Sequence, residues 1–279
     1  MPGHRIIPIA AGALLLGPAC GDRFGAPEPA TTQGSDILDL WRVLFLVGLA
    51  VGGLVVGLLL WTVVRHRRPR PGDRAGGGQP EQVRANIALE IVYTAVPLVI
   101  VVVLFLLTLR TQGRVTRLTS SPGLRVEATG FQWGWRFHYP AQEVTALGDS
   151  NAPPTLVLPR GTTTRLVLES PDVIHSLSVP AFLVKEDVVP GAENELDVTP
   201  TRVGRFGGYC AEFCGLDHTR MTFEVEVLEP PDFQRWVAEQ QQEQRRERPE
   251  EQQGEDPGEG DPGGQALGVV PGPARARER

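Results

Sequence analysis

Two long apolar stretches dominate the first half of the chain. Residues 41–64 are almost unbroken in their apolar character, and residues 87–109 repeat the pattern. Each stretch is long enough to cross a bilayer as an α-helix, so the sequence predicts a transmembrane hairpin over 41–110. Gly48 and three further glycines recur at helical spacing in the first stretch, which predicts a smooth face that packs against a partner helix.

The segment between the two stretches is rich in arginine. Residues 65–86 hold six arginines and only two acidic residues. By the positive-inside rule we expect this loop to stay in the cytoplasm. Both outer ends of the hairpin then lie on the other side of the membrane, together with the rest of the chain.

After the hairpin, short runs of β-type residues follow one another, and Pro or Gly separates most of them. Residues 164–169, for example, alternate between apolar and polar side chains. Runs this short and regular predict an all-β domain over 111–231, an antiparallel Greek-key sandwich or barrel. The predicted strands are residues 124–129, 131–139, 155–158, 164–169, 174–179, 195–198, 205–209 and 221–228.

The second of these runs is strongly aromatic. Residues 131–139 are predicted to form a single strand, whose side chains at every second position project to one face. That face would carry five aromatic side chains: Phe131, Trp133, Trp135, Phe137 and Tyr139.

The two ends of the chain differ from its middle. Residues 1–20 have the pattern of a secretory signal peptide, and Cys20 stands where a lipoprotein signal places its acylated cysteine; ordinary cleavage nearby stays an equal alternative. The polar segment 21–40 is predicted to be an exposed arm. Residues 232–248 have helical composition, with Trp236 able to pack back on the domain. The tail 249–279 is predicted to stay disordered.

The candidate chemistry lies between the last two predicted strands. Cys210, Cys214, His218 and Met221 fall within twelve residues, and His175 lies 39 residues before Cys214. Two histidines, one cysteine and a weak methionine are the ligands of a one-copper electron-transfer site. The additional cysteine lets two sulfurs bridge two metals, with a histidine at each end and a backbone carbonyl completing the set.

The cysteines and histidines are also compatible with a disulfide bond or with a zinc site. Two cysteines in an oxidising compartment usually form a disulfide, and two cysteines with two histidines suit a structural zinc ion. Neither arrangement accounts for Met221, whose soft thioether favours copper.

These residues resemble subunit II of the haem-copper cytochrome c oxidases. The Cys-x-Glu-x-Cys-x-x-x-His-x-x-Met pattern of that family is complete, and its Asp-Val-x-His-Ser-x-x-Val-Pro pattern stands at 172–180. The order of a distant histidine and a Cys-His-Met loop is similar to that of a cupredoxin. The resemblance implies a dinuclear copper site, with a magnesium ion shared with the catalytic subunit through the Glu212 carboxylate. The implied copper ligands are His175, Cys210, the Glu212 carbonyl, Cys214, His218 and Met221.

The resemblance also implies two roles outside the copper loop. Trp133 is the first Trp of the segment Gln132–Trp135, which matches the family's Gln-Trp-x-Trp pattern. In that family the first Trp is the electron entry point. Gly134 departs from the pattern, because the family usually has Tyr there. A purely structural role in the core is the alternative for Trp133. Glu90, near the start of the second span, matches a Glu at the mouth of a proton pathway, with interfacial snorkelling as its alternative. Asp172, Glu186 and Asp187 are candidates for a negative field that steers a basic cytochrome.

The predicted function is therefore that of the electron-entry subunit of a respiratory cytochrome c oxidase. The expected partners are the oxidase catalytic subunit I, other oxidase subunits, a c-type cytochrome donor and the bacterial plasma membrane. A membrane-anchored copper carrier and a copper-free quinol oxidase subunit are the alternatives. The formal charge of −6 gives no reason to expect nucleic-acid binding, and no Cys-x-x-Cys-His motif for a fused c-type haem occurs.

Overall fold

The computed structural model describes residues 23–66 and 85–247. The predicted signal segment 1–20, most of the arginine-rich loop and the predicted tail 249–279 lie outside these ranges. The helices are α1 (Thr32–Arg65), α2 (Ile87–Val115) and α3 (Pro230–Glu247). The strands are β1 (Leu124–Phe131), β2 (Gly134–Tyr139), β3 (Val144–Asp149), β4 (Thr155–Pro159), β5 (Thr164–Glu169), β6 (His175–Val179), β7 (Val184–Val188), β8 (Asn194–Val198), β9 (Gly204–Cys210) and β10 (Thr222–Leu228).

The helices α1 and α2 form the predicted hairpin. Both are long and apolar enough to cross a membrane, and none of the side chains in their most apolar windows is buried inside the protein. Such a continuous apolar surface needs lipid or partner helices around it. At the end nearer the β domain, Arg114 of α2 forms an ion pair with Asp36 of α1 at 3.2 Å.

The start of α1 differs from the predicted exposed arm over 21–40. The helix begins at Thr32, and the Thr31 hydroxyl accepts a hydrogen bond from the Gly34 N–H as an N-cap. Ala30 and Thr31 are fully buried because the arm pairs with the β domain. Ala30 donates its N–H to the Ala181 carbonyl at 2.7 Å, and its carbonyl accepts the Thr201 N–H at 2.8 Å.

The β domain is a sandwich of two five-stranded sheets, as expected for a cupredoxin-like fold. One sheet has the order β3-β2-β1-β5-β8, and the other has the order β4-β10-β9-β6-β7. The predicted all-antiparallel arrangement is wrong in one respect, because β1 pairs with β5 and β4 pairs with β10 in parallel. Parallel neighbours arise where the chain crosses from one sheet to the other and returns beside an earlier strand.

The aromatic run does not form one strand. β1 ends at Phe131, a tight turn follows, and β2 begins at Gly134, so that Phe131 lies opposite Gly134 across an antiparallel hairpin. Trp135, Phe137 and Tyr139 of β2 are fully buried and fill the core. Trp133 therefore lies in the turn and not in a row with these three side chains.

Helix α3 closes one end of the sandwich. Trp236 packs edge-on against Tyr139 with 5.3 Å between ring centroids, as the sequence predicts for this helix. Tyr139 donates its hydroxyl to the Val157 carbonyl at 3.0 Å and accepts the Val157 N–H at 2.8 Å. The hydroxyl of this buried ring is thus satisfied by the backbone of β4.

Candidate metal centre

The loop between β9 and β10 carries most of the candidate ligands. Cys210 is the last residue of β9, and Met221 immediately precedes β10. The Cys210 N–H donates to the Met221 carbonyl at 2.9 Å, so this backbone pair closes the loop at its base. Met221 also donates its N–H to the carbonyls of Asp217 and His218, which holds the loop in a tight turn.

His175 reaches the same place from the neighbouring strand. β6 lies beside β9 in the sheet, and Leu177 pairs with Cys210. The Ala211 N–H donates to the Ser176 carbonyl at 2.9 Å, which extends this pairing to the start of the loop. Residues far apart in sequence are thereby brought together by strand order.

The donor atoms form one compact group. Cys210 Sγ lies 3.8 Å from Cys214 Sγ and 3.9 Å from His175 Nδ1. Cys214 Sγ lies 3.6 Å from His218 Nδ1 and 3.7 Å from Met221 Sδ. His175 and Met221 are fully buried, and both cysteines are nearly so. Each sulfur of the thiol pair thus has one imidazole nitrogen beside it.

The donor set fits copper better than the two alternatives. Both cysteines are free thiols, and their separation far exceeds the roughly 2.05 Å of a disulfide bond. A zinc site does not use a thioether. The soft Met221 sulfur is buried against Cys214, where it suits copper.

Glu212 presents its two kinds of oxygen in different directions. Its backbone carbonyl oxygen lies 3.2 Å from Cys210 Sγ, inside the donor group. Its carboxylate is half-exposed and lies 3.6 Å from Lys185 Nζ, which also pairs with Asp187 at 3.2 Å. The residue can therefore serve the cluster through its backbone while its side chain stays available outside it.

Asp172 contacts a candidate ligand directly, although it was predicted only as one of the acidic residues that attract a basic cytochrome. Its Oδ1 lies 2.9 Å from His175 Nε2, and its Oδ2 accepts the Gln132 N–H at 2.7 Å. A carboxylate on the outer nitrogen of a ligand histidine fixes the ring so that the other nitrogen faces the metal. The spacing of three residues between Asp172 and His175 was the available sequence clue.

The aromatic turn contacts the cluster from the other sheet. Trp133 donates its indole N–H to the Cys214 carbonyl at 3.1 Å, and Gln132 donates its side-chain N–H to the same oxygen at 2.7 Å. Gly215 is needed beside them, because a Cβ there would lie 3.1 Å from the indole ring. Trp133 thus lies one hydrogen bond from a candidate ligand residue, and its role as electron entry point stays a prediction.

The ionisable side chains of this group change one another's pKa. Burial raises the pKa of the Cys210 thiol, but contacts with His175 and the Glu212 backbone outweigh it and bring that pKa below its ordinary value. Burial and the charge on Cys210 both raise the pKa of Cys214. Burial lowers the pKa of His175, but Cys210 and Asp172 outweigh this and raise it. A thiolate-binding metal therefore displaces protons from this group as it binds.

Glu90 lies apart from the cluster, in the first turn of α2. Its side chain is partly buried, in a stretch of helix where nearly every neighbour is exposed. Its predicted role in proton uptake stays a prediction.

A buried group of soft donors between the last two strands of a cupredoxin-like sandwich, attached to two membrane-length helices, defines a membrane-anchored copper protein for electron transfer. Residues 149–228 match the family model described as cytochrome c oxidase subunit II, periplasmic domain. A probable cytochrome c oxidase subunit 2 of Streptomyces avermitilis is 37% identical, over 83% of this chain and 85% of the relative. The chain belongs to the cytochrome c oxidase subunit II family.

Two further similarities extend the comparison. A probable cytochrome c oxidase subunit 2 of Nocardia farcinica is 31% identical, over 84% of this chain and 79% of the relative. The crystal structure of the periplasmic domain of subunit II of cytochrome oxidase, CoxB, of Bradyrhizobium japonicum is 31% identical. It covers 45% of this chain and 99% of that domain, with a TM-score of 0.42. By its family, the chain is the electron-entry subunit of a haem-copper oxidase, an oxidoreductase complex, and carries its copper centre.

Proposed function

We propose that the centre holds two copper ions, which supply a one-electron relay between an external donor and the catalytic subunit. The observation that carries this proposal is the pair of thiols 3.8 Å apart, with one histidine Nδ1 beside each. In this assignment Cys210 and Cys214 would hold both ions through their thiolates. The remaining ligands would be His175, His218, Met221 and the Glu212 carbonyl.

The burial of the donor atoms supports the function of an electron relay and argues against that of a copper carrier. A carrier needs ligands that exchange readily, whereas most of these donors are buried and held by strands on both sides. The chain's own residues bury His175, Met221 and both thiols, and Asp172 holds the His175 imidazole in place. Such preorganisation favours electron transfer without bond chemistry.

Metal content is the direct test of the two-copper assignment. The full chain, loaded with copper in detergent, is expected to contain two coppers per chain and to show electron-spin hyperfine coupling to both. Cys210→Ser is the matched variant, because it leaves one thiol beside His218 and Met221. One copper or one zinc per unmodified chain would contradict the proposal.

We further propose that a c-type cytochrome docks over Trp133. Phe213 and Leu216, in the same loop as the Trp133 partner Cys214, are 77% and 93% exposed. Large apolar side chains with such exposure mark a surface for protein contact. Glu186 and Asp187 of β7 are proposed to add negative charge that attracts a basic partner, with Asp187 paired to Lys185 at 3.2 Å.

The Glu212 carboxylate is proposed to bind magnesium shared with the catalytic subunit. Support comes from its outward orientation, since the carbonyl alone faces the copper cluster. In the whole oxidase, Glu212→Gln is expected to retain copper while magnesium content falls. Loss of copper in this variant would show that the carboxylate itself is a copper ligand.

The β domain and the outer ends of the hairpin are proposed to lie on the outer side of the bacterial plasma membrane. The arginine-rich sequence between the helices supports this orientation, because such loops stay in the cytoplasm.

Glu90 is proposed to stand at a proton entrance of the catalytic subunit. Its position as a carboxylate within a membrane-length helix supports this role. In the assembled oxidase, Glu90→Gln is expected to slow turnover without changing the copper spectrum.

A further inference from the structure

Gly130, the next-to-last residue of β1, lies against the candidate ligand His175. It pairs with Trp135 across the hairpin of β1 and β2. A Cβ at position 130 would lie 3.2 Å from His175 Cβ, 3.3 Å from His175 Cγ and 3.1 Å from Trp135 Cζ3. These distances are shorter than the roughly 3.5–4.0 Å of favourable carbon–carbon contact, so a methyl group here would push on the imidazole and on the indole.

Both neighbours of Gly130 are enclosed by other side chains. Trp135 is fully buried, with Phe137 stacked at 6.3 Å and Phe223 edge-on at 5.3 Å between ring centroids. His175 is also fully buried, and its Nε2 lies 2.9 Å from Asp172 Oδ1. Because interiors packed in this way transmit strain, a displacement at position 130 would reach the His175 ring.

The two candidate histidines are held in different ways. His218 lies in the ligand loop and is partly buried, and the ring packed against it belongs to the exposed Phe213. His175 belongs to β6, whereas Gly130 belongs to the sheet that does not carry the ligand loop. The contact at Gly130 therefore makes the position of His175 depend on how closely the two sheets approach each other.

We propose that Gly130 is a positioning residue of the metal centre. Its missing side chain lets β1 lie against His175, and this close approach sets where the imidazole stands relative to Cys210, whose Sγ lies 3.9 Å from His175 Nδ1. Ligands need to be held within about 0.5 Å of their working geometry, so a shift of a few tenths of an ångström weakens or alters ligation. The inference deepens the proposed function and rests on its assignment of His175 as a copper ligand.

The test compares Gly130→Ala with Gly134→Ala in the full chain, loaded with copper in detergent. Both variants add one methyl group at a crowded position of the same hairpin, but the atoms nearest position 134 belong to Phe131, Gly148 and Asp149, which are not candidate ligands. We expect copper affinity, measured by competition with a chelator, to fall about tenfold in Gly130→Ala, at the low end for groups that orient a ligand. Its copper hyperfine pattern should change as well, whereas Gly134→Ala should lower stability alone.

A second variant removes the indole from beside the added methyl group. Trp135→Phe leaves the place of Cζ3 empty, so in the double variant with Gly130→Ala the methyl group can move to ordinary contact distance from His175. We expect the double variant to recover most of the lost copper affinity. A purely structural role for Gly130 predicts no recovery, because Trp135→Phe itself weakens the core.

The position of the His175 ring is also measured without metal. In the metal-free chain with isotope-labelled histidine, Gly130→Ala is expected to shift the imidazole resonances of His175, which are assigned from their loss in His175→Gln. Gly134→Ala is expected to leave them in place. The two proposals are thereby separated, because a chain that binds no copper refutes the copper assignment, whereas unmoved His175 resonances in Gly130→Ala refute the positioning role.

Three further results would overturn the positioning role. One is an unchanged copper affinity and hyperfine pattern in Gly130→Ala, and another is a loss of affinity equal to that in Gly134→Ala. The third applies if Gly130→Ala alone does not fold, in which case the double variant is compared with Trp135→Phe. Since the added methyl group still contacts His175 Cγ there, identical His175 resonances in these two chains would contradict the proposal.

Discussion

Met221 contributes a soft, buried sulfur to a cluster that thiolates and imidazoles dominate. Its Sδ lies 3.7 Å from Cys214 Sγ, and a weak axial thioether tunes potential more than it holds metal. Met221→Leu keeps nearly the same volume, so we expect copper content to persist while the reduction potential shifts. Voltammetry and metal analysis of the same sample check this. A variant isolated without copper would refute the weak-ligand role.

Asp172 is expected to act through His175. Asp172→Asn removes the charge behind the ligand ring, and such outer carboxylates typically contribute about 10–100-fold to metal affinity. Competition with a copper chelator measures the loss. Asp187→Asn is the matched control, because that acid pairs with Lys185 and has no contact with a ligand ring. Equal losses of copper affinity in the two variants would indicate that Asp172 acts through its charge alone and does not position the His175 ring.

Trp133 and Trp135 offer a direct comparison of two indoles in one hairpin. Trp133 contacts the Cys214 carbonyl, whereas Trp135 is fully buried against Phe137 and Phe223. The His175 ring lies edge-on to Trp135 at 6.4 Å between ring centroids, and Trp135 has no hydrogen bond to a candidate ligand in the described residues. We expect Trp133→Phe to keep copper and folding while electron transfer from a cytochrome slows greatly. Trp135→Phe should lower stability and leave transfer per folded molecule unchanged. Stopped-flow reduction and thermal unfolding separate the two, and identical behaviour would remove the gateway role.

The sequence predicted the candidate ligands better than their supports. Cys210 to Met221 lie on one loop, so their proximity follows from spacing alone. Gln132 comes from a separate segment and meets Cys214 and Asp172 only through sheet packing. Long-range contacts of this kind carry no local pattern, which is why the role of Gln132 required the structure.

At the level of elements, the two strands that the sequence missed are both sheet edges. β3 and β7 each end an order of five strands. An edge strand is partly solvated, so its apolar alternation is weak; β7 carries three consecutive charged residues at 185–187. The extended conformation of β7 is therefore determined by its pairing with β6 and not by its own amino-acid composition.

The close approach of edge strand β3 accounts for the glycine at position 134. A Cβ at 134 would meet the Gly148 carbonyl, with Asp149 Cα at 2.9 Å and Phe131 Cζ at 2.8 Å. We expect Gly134→Ala to lower domain stability by about 1–3 kcal/mol through overpacking. Gly207→Ala in β9 is the control, because nothing lies within 4 Å of its added methyl group. Denaturant unfolding of the β domain measures both, and equal stability would contradict the close approach.

At the level of the whole molecule, both membrane helices attach to β8 and the loop that follows it. The arm before α1 pairs with Thr199 and Thr201. The linker after α2 is held by Asp197, which accepts the Thr119 N–H at 2.7 Å, and by Arg165, which donates to the Thr119 carbonyl at 2.7 Å. The region of β8 and the loop after it therefore contacts the connecting segments of both membrane helices, and the arm has a further hydrogen bond to Ala181.

Asp197 is the group on which this attachment depends most. It is almost fully buried and pairs with Arg165 at 2.5 Å, so Asp197→Ala leaves the Arg165 guanidinium with only the more distant Glu195 carboxylate and costs about 3 kcal/mol. Glu195→Ala is the control, because Glu195 lies 3.5 Å from Arg165 and is more exposed, and we expect it to cost less than about 1 kcal/mol. Spin labels on α2 and on the β domain should report a broader distance distribution in Asp197→Ala alone. An unchanged distribution would mean that the arm before α1 is sufficient to orient the domain.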